Sequence, residues 1–288
     1  EEIKASIEIS VDINGDYYIG QNVLIDSSGS WAETSVSINP KNPLNLFASA
    51  NFAGFSSSNG GRNWETVKDG NSIDPNVCFL GNGTVLWQGM MFGDPRSIRV
   101  KRSTDGGKTF PPSNSFMAYK PETGKGNPDQ EIMCADTSSS SQYKGSVYII
   151  SSDYPADSPE YKQTGFSMIV LVSRDGGKTW LEPVDISTCT DCGQENSSYI
   201  TTGINGEVYS AWWNGKDDVV FNKSSDGGIT WGEEKVIRTN TRSNQFDLTD
   251  DVRGNITIDG DRGQGNVSGR IYISGTDMTP VGRGATDS

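Results

Sequence analysis

Ser103-Thr104-Asp105-Gly106-Gly107-Lys108-Thr109-Phe110 is one of four copies of the pattern Ser-x-Asp/Asn-Gly-Gly-x-x-Trp/Phe. The others run from Ser57 through Asn59 to Trp64, from Ser173 through Asp175 to Trp180, and from Ser224 through Asp226 to Trp231. Their starts lie 46, 70 and 51 residues apart. Asp-Gly between two β-rich runs is a hairpin signal, because the turn needs positive φ and glycine reaches it without a Cβ clash. The serine hydroxyl and the aspartate carboxylate can take the turn amides that the strand ladder no longer serves. Asp105, Asp175 and Asp226 therefore read as turn braces, and the closing Trp or Phe as the large apolar piece packed between repeats.

Each box follows an apolar run: Ser97–Lys101, Ser167–Val172 and Asp218–Asn222. Upstream of each run lies a second repeat of turn plus strand, seen in Asn82–Trp87, Lys144–Tyr148, Asn205–Tyr209 and Ser268–Tyr272. Short alternating runs precede these in turn, at Ser35–Ile38, Val77–Leu80, Met133–Asp136, Ile200–Gly203 and Asn255–Asp259. The unit is thus strand a, turn, strand b, loop, strand c, box, strand d, which suits a propeller blade of roughly 40–50 residues. The expected fold is all-β: a β-propeller of four-stranded antiparallel blades, four of them carrying boxes and a partial fifth. One domain spans 1–288, divided as a hairpin and closing strand (1–32), blades at 33–70, 71–126, 127–188 and 189–243, and part of a fifth at 244–288.

Composition narrows the chemistry. Lys and Arg total 24 against 37 Asp and Glu, a net charge of −13 with no histidine. That balance argues against nucleic acid and anionic membranes as partners. Without imidazole, a Ser-His-Asp triad and any His-ligated metal are excluded. No apolar run reaches the ~20 residues that a membrane helix needs. The Gly, Ser, Asn and Thr richness suits an extracellular or periplasmic β protein; an extracellular, cell-surface or periplasmic location and a monomer are expected.

These repeats resemble the Asp-box (bacterial neuraminidase repeat) propeller superfamily, which includes the sialidases. Glu33–Pro43 and Asp129–Asp136 are similar to blade openings of secreted members, and the likeness spans roughly residues 21 to 275. The resemblance implies a ring of six or seven blades, so the chain is expected to be truncated, with Asn22–Asp26 as a closing outer strand. It also implies a carbohydrate or glycoprotein partner. A sialidase of this kind uses three arginines on the substrate carboxylate, an aspartic acid and a Tyr–Glu nucleophile pair. The family's Arg-Ile-Pro motif is missing here, and residues 1–30 hold no arginine.

Strands that alternate in direction put the a–b and c–d turns on one face and the b–c and d–a loops on the other. The boxes occupy the first face, so a substrate site is expected on the second, where the long segments 120–129 and 153–163 project. Candidates there are Asp94, Glu131 and Tyr154 as catalytic groups, with Arg96, Arg253, Asp74 and Trp213 contacting substrate. Glu33, Asp74 and Glu131 precede three successive inner strands and read either as a carboxylate arc at the channel mouth or as a solvated acidic rim. Strand alternation turns Trp213 or its neighbour Trp212 outward, where it could stack on a sugar, but core packing between blades is the favoured reading for aromatics in a propeller. Arg242 adds a third arginine to Arg96 and Arg253.

Cys189 and Cys192 are expected to form a local disulfide clip in an oxidising compartment. Cys78 and Cys134 hold matching inner-strand positions as core fillers or as a second bridge. No cofactor is expected. Asp12–Asp16 opens like a calcium loop but has its glycine misplaced and lacks the twelfth-position glutamate, and Asp259 with Asp261 is a second partial match.

Overall fold

Residues 23–27, 33–68, 72–93, 95–123, 126–154, 167–188, 196–214, 218–239, 256–260 and 270–275 are described by the computed structural model. Blade 1 comprises β1 (Ser35–Ile38), β2 (Leu46–Ala50), β3 (Ala53–Ser57) and β4 (Glu65–Lys68). Blade 2 comprises β5 (Ser72–Phe79), β6 (Val85–Met91), β7 (Ser97–Ser103) and β8 (Ser115–Tyr119). Blade 3 comprises β9 (Asn127–Ala135), β10 (Val147–Tyr154), β11 (Ser167–Ser173) and β12 (Val184–Asp185). Blade 4 comprises β13 (Asn196–Thr202), β14 (Val208–Trp213), β15 (Val219–Ser224) and β16 (Lys235–Arg238), and β17 (Ile256–Gly260) pairs with β18 (Ile271–Gly275). Every pairing is antiparallel and sequential. First strands of successive sheets neighbour one another, as the radial blade order requires. The expected closing strand is not formed in residues 23–27, although Asp26 accepts a hydrogen bond from Thr66 of β4 at 3.3 Å.

Middle strands are buried on both faces, so they read as continuous apolar runs instead of alternating ones. Ile149 of β10 packs toward blade 2 with Leu86, Val100 and Leu171, whereas Tyr148 and Ile150 pack toward blade 4 with Val208, Trp212 and Val220. The box aromatics seal these seams. Phe110 meets Phe47 and Trp87 with ring centroids 5.1 and 5.2 Å apart, Trp180 joins the blade 2–3 cluster, and Trp231 the blade 3–4 cluster.

Nearer the axis the seams are polar. Ser35 accepts from Asn76 Nδ2 and the Val77 amide, both at 3.2 Å, and Ser37 from the Phe79 amide at 3.3 Å. Asn76 in turn accepts the Met133 amide of blade 3 at 3.0 Å. Cys78 and Cys134 form no disulfide in these inner strands, and burial with the neighbouring Cys134 pushes the Cys78 thiol up.

All four boxes close alike. In the third, Ser173 Oγ takes the Gly177 amide at 2.8 Å, while Asp175 Oδ1 takes the Lys178 and Thr179 amides at 3.0 and 2.9 Å. Partial burial works against the charged form of Asp175, but the donors from Thr179, Ser173 and Lys178 outweigh it and hold the carboxyl at about 2. The same balance holds Asp226 at about 2. No helix among the described residues is long and apolar enough to cross a membrane.

Candidate functional site

Opposite the boxes, the inner strands begin with a repeated backbone distortion. Glu33, Asp74 and Gln130 carry φ of 55°, 48° and 57°, and the latter two sit at bulges in β5 and β9. Non-glycine residues in this region cost about 1–3 kcal/mol each, and such corners concentrate where a site must be held in one geometry. The distortion also changes the expected register. Gln130, not Glu131, is the counterpart of Asp74, and one position further along the Glu131 side chain enters the wall between blades 2 and 3.

There Glu131 is 2% exposed. Gln88 Nε2 of β6 donates to its Oε2 at 3.4 Å and to the Asp74 carbonyl at the same distance. Glu131 Oε1 and Gln88 Oε1 are buried without a hydrogen-bond partner among the described residues. Desolvation, then the charges of Asp74 and Asp129, raise the Glu131 carboxyl well above the carboxylate range. Asp74 is pushed to about 8 by desolvation, by the hydrogen bond and charge of Glu33, and by Asp129. Its amide donates to Glu33 Oε2 at 3.2 Å and to Asn51 Oδ1 at 3.1 Å. Glu33 loses something to burial but is held below its usual range by hydrogen bonds from Asp74 and Asn51. One proton is thus shared unequally, with Asp74 holding it and Glu33 ionised.

The cation of the cluster is Arg96. Its Nη1 lies 3.4 Å from Asp129 Oδ1, and its guanidinium stands 5.8 Å from the Tyr154 ring centroid. Its amide donates to Asn127 Oδ1 at 3.2 Å. Beside it, Tyr119 donates to Asp153 Oδ2 at 2.8 Å, and burial raises the Asp153 carboxyl despite that bond. Gly126 makes the space: a Cβ there would come within 2.6 Å of both Asp153 oxygens.

The structure therefore brings Asp74, Glu131, Arg96 and Tyr154 to one mouth. Asp94, Arg253, Arg242, Cys189, Cys192, Asp12–Asp16 and Asp261 lie outside the described residues. Trp213 departs from expectation. It is 8% exposed against Tyr209, Val219 and Ile258, and Trp212 is fully buried on the other face. Alternation does not turn a side chain to solvent when both faces of the sheet are covered. Asn51, Gln88, Tyr119 and Asn127 carried no sequence signal as isolated polar residues. The Gly126–Asp153 fit could not be read from a loop glycine.

These groups make stability depend on pH in two senses. The proton on Asp74 is retained in the folded state and released in the unfolded chain above about pH 4. Its contribution is full below that value and is lost as pH rises through about 8. The box aspartates act oppositely, their contribution being present above about pH 4 and lost as pH falls toward 2. Melting temperature followed by calorimetry is expected to decline on both sides, and Asp74→Asn to make the limb between about pH 4 and 8 shallower. An unaltered limb in that variant would show that Asp74 does not hold the proton.

No family model matches the sequence, and neither does any curated protein. Solved structures do. An α-L-arabinanase of Penicillium chrysogenum superposes with a TM-score of 0.55 at 16% identity, covering 85% of this chain and 74% of that one. A leech intramolecular trans-sialidase gives 0.55 at 9% identity, covering 78% and 57%, and the NanB sialidase of Streptococcus pneumoniae gives 0.56 at 9%, covering 87% and 58%. The chain thus spans a little over half the length of the two sialidases. By fold the chain is a β-propeller, similar to these arabinanase and sialidase structures.

Proposed function

We propose that this protein is exported and engages extracellular carbohydrate, free or on glycoprotein, as a monomer, through the mouth opposite the boxes. One observation carries the reading: Asp74 and Asp129 converge there with Arg96, backed by Glu131 in the wall behind them. Carboxylates and an arginine gathered at strained, rigid corners are the kind of polar groups that fix a hydroxyl-rich ligand. The propeller enzymes of like fold act on sugars, by their names, and that supports the ligand class.

The protonated state of Asp74 favours a second, stronger form of the reading, glycoside hydrolysis. Asp74 would give its proton to the departing glycosidic oxygen, and Asp129 would receive one from the attacking water. Both forms are tested on one set of proteins. Wild type is expected to bind on a glycan array, with Arg96→Met weakening binding about tenfold. If hydrolysis occurs, a panel of aryl sialosides and arabinosides turns over, and Asp74→Asn lowers kcat by about 10²–10⁴. Array signal without turnover leaves a binding module. Neither signal overturns the carbohydrate reading and favours a structural or assembly role.

A further inference from the structure

A second pocket lies on the box face, between blades 2 and 3. It encloses about 430 Å³ and is lined by Arg102, Lys144, Arg174 and Lys178, with Asp175 the one carboxylate among its lining residues. Four cations meeting in one pocket are out of keeping with a chain of net charge −13. Asp175 stays ionised and its charge reaches Arg102, so it offsets one of the four, while its oxygens are engaged by the amides of Lys178 and Thr179 and by the Thr179 hydroxyl. The Arg96–Asp129 pair is the single salt bridge among the described residues, so none of the four cations is within 4.0 Å of a carboxylate oxygen there.

Arg102 is the decisive group. It is 9% exposed, its Nε is buried without a hydrogen-bond partner, and its side chain donates no hydrogen bond among the described residues. At the other two junctions a side chain of the preceding blade caps the first glycine carbonyl of the next box. Asn45 Nδ2 and Ser56 Oγ reach the Gly106 carbonyl at 2.9 and 3.1 Å, and Arg174 Nη2 reaches the Gly227 carbonyl at 2.7 Å. At the blade 2–3 junction Arg102 comes near Gly176 yet leaves its carbonyl uncapped. Arg174 is committed elsewhere, to Ser146, Tyr148 and Gly227, and lies over the Tyr143 ring at 4.7 Å. Arg102 Nε is therefore a buried donor that lacks an acceptor among the described residues, and an anion in the pocket would supply one.

We infer that this pocket binds a tetrahedral oxyanion, sulfate or phosphate, with Arg102 donating from the floor and Lys144 and Lys178 closing over it from the rim. A planar guanidinium beside two mobile ammonium groups suits such an ion, which presents acceptors in every direction. The ion arrives either free or as an ester on a glycan, and the site is independent of the mouth on the opposite face.

The test is an amide and arginine Nε NMR titration with sodium sulfate, sodium phosphate and a galactose sulfate ester, ionic strength being held constant with sodium chloride. Saturable shifts are expected at Gly145, Gly176 and Arg102 Nε. Lys144→Gln with Lys178→Gln, both exposed, should weaken binding about tenfold or more without altering the fold. Arg102→Met should abolish binding and, in anion-free buffer, melt no lower than wild type, since an unpaired buried charge is removed. Tighter binding of the ester than of free sulfate assigns the site to a glycan, and equal binding to the free ion. Linear, unsaturating shifts, or saturation unchanged in the double lysine variant, would overturn the inference.

Discussion

Gly107→Ala is expected to destabilise the protein by about 2–5 kcal/mol, whereas Gly145→Ala at nearly the same backbone geometry costs about 1–2 kcal/mol. The two glycines have φ of 88° and 87°. They differ in surroundings: a Cβ on Gly107 would overlap Phe47 Cδ2 and lie 3.1 Å from its Cγ and Cε2, while one on Gly145 meets nothing within 4 Å. Phe47 cannot withdraw, since it is fully buried against Trp87 and Phe110. The left-handed conformation costs both variants about 1–2 kcal/mol, and overpacking adds its further 1–3 only at Gly107. Urea unfolding of the pair separates the two contributions. Equal losses would mean that the box glycines are required for turn geometry alone, and not for the approach of one blade to the next.

Trp87→Ala is the second large effect, expected to cost about 3–5 kcal/mol. The indole is 2% exposed at the blade 1–2 seam, 5.4 Å from Phe47 and 5.2 Å from Phe110 by ring centroids, both edge-on. Truncation leaves a cavity that neither ring can fill without leaving the other. Trp87→Phe should lose much less, about 1–2 kcal/mol, because Trp87 Nε1 is buried without a partner and phenylalanine removes that orphan donor. Comparable losses for both variants in urea would show that the size of the indole, and not the presence of a ring, holds the seam.

The contrast between boxes and mouth explains what the sequence made legible. A box packs its whole logic into eight consecutive residues, so Gly107, Asp175 and Trp231 announced their roles by spacing. Strand order then placed all four boxes on one face and the loops on the other. The mouth is assembled from residues far apart in the chain, and two features hid it. Bulges set the corners of β5 and β9 at Asp74 and Gln130, so Glu131, one position further along, lies in the wall and not at the expected rim. Burial of both sheet faces drew Trp213 into the core against an alternation rule that presumes one wet face. The partnership of Glu131 with Gln88, across a seam between blades, leaves no local trace at all.

Side chains, not backbone ladders, stitch neighbouring blades together around the hub: Ser35 and Ser37 serve amides of blade 2, and Asn76 serves one of blade 3. Each sheet is consequently a self-contained leaf whose spacing from the next is set by short tethers. A change at one such hydroxyl would be felt next door before it is felt at home.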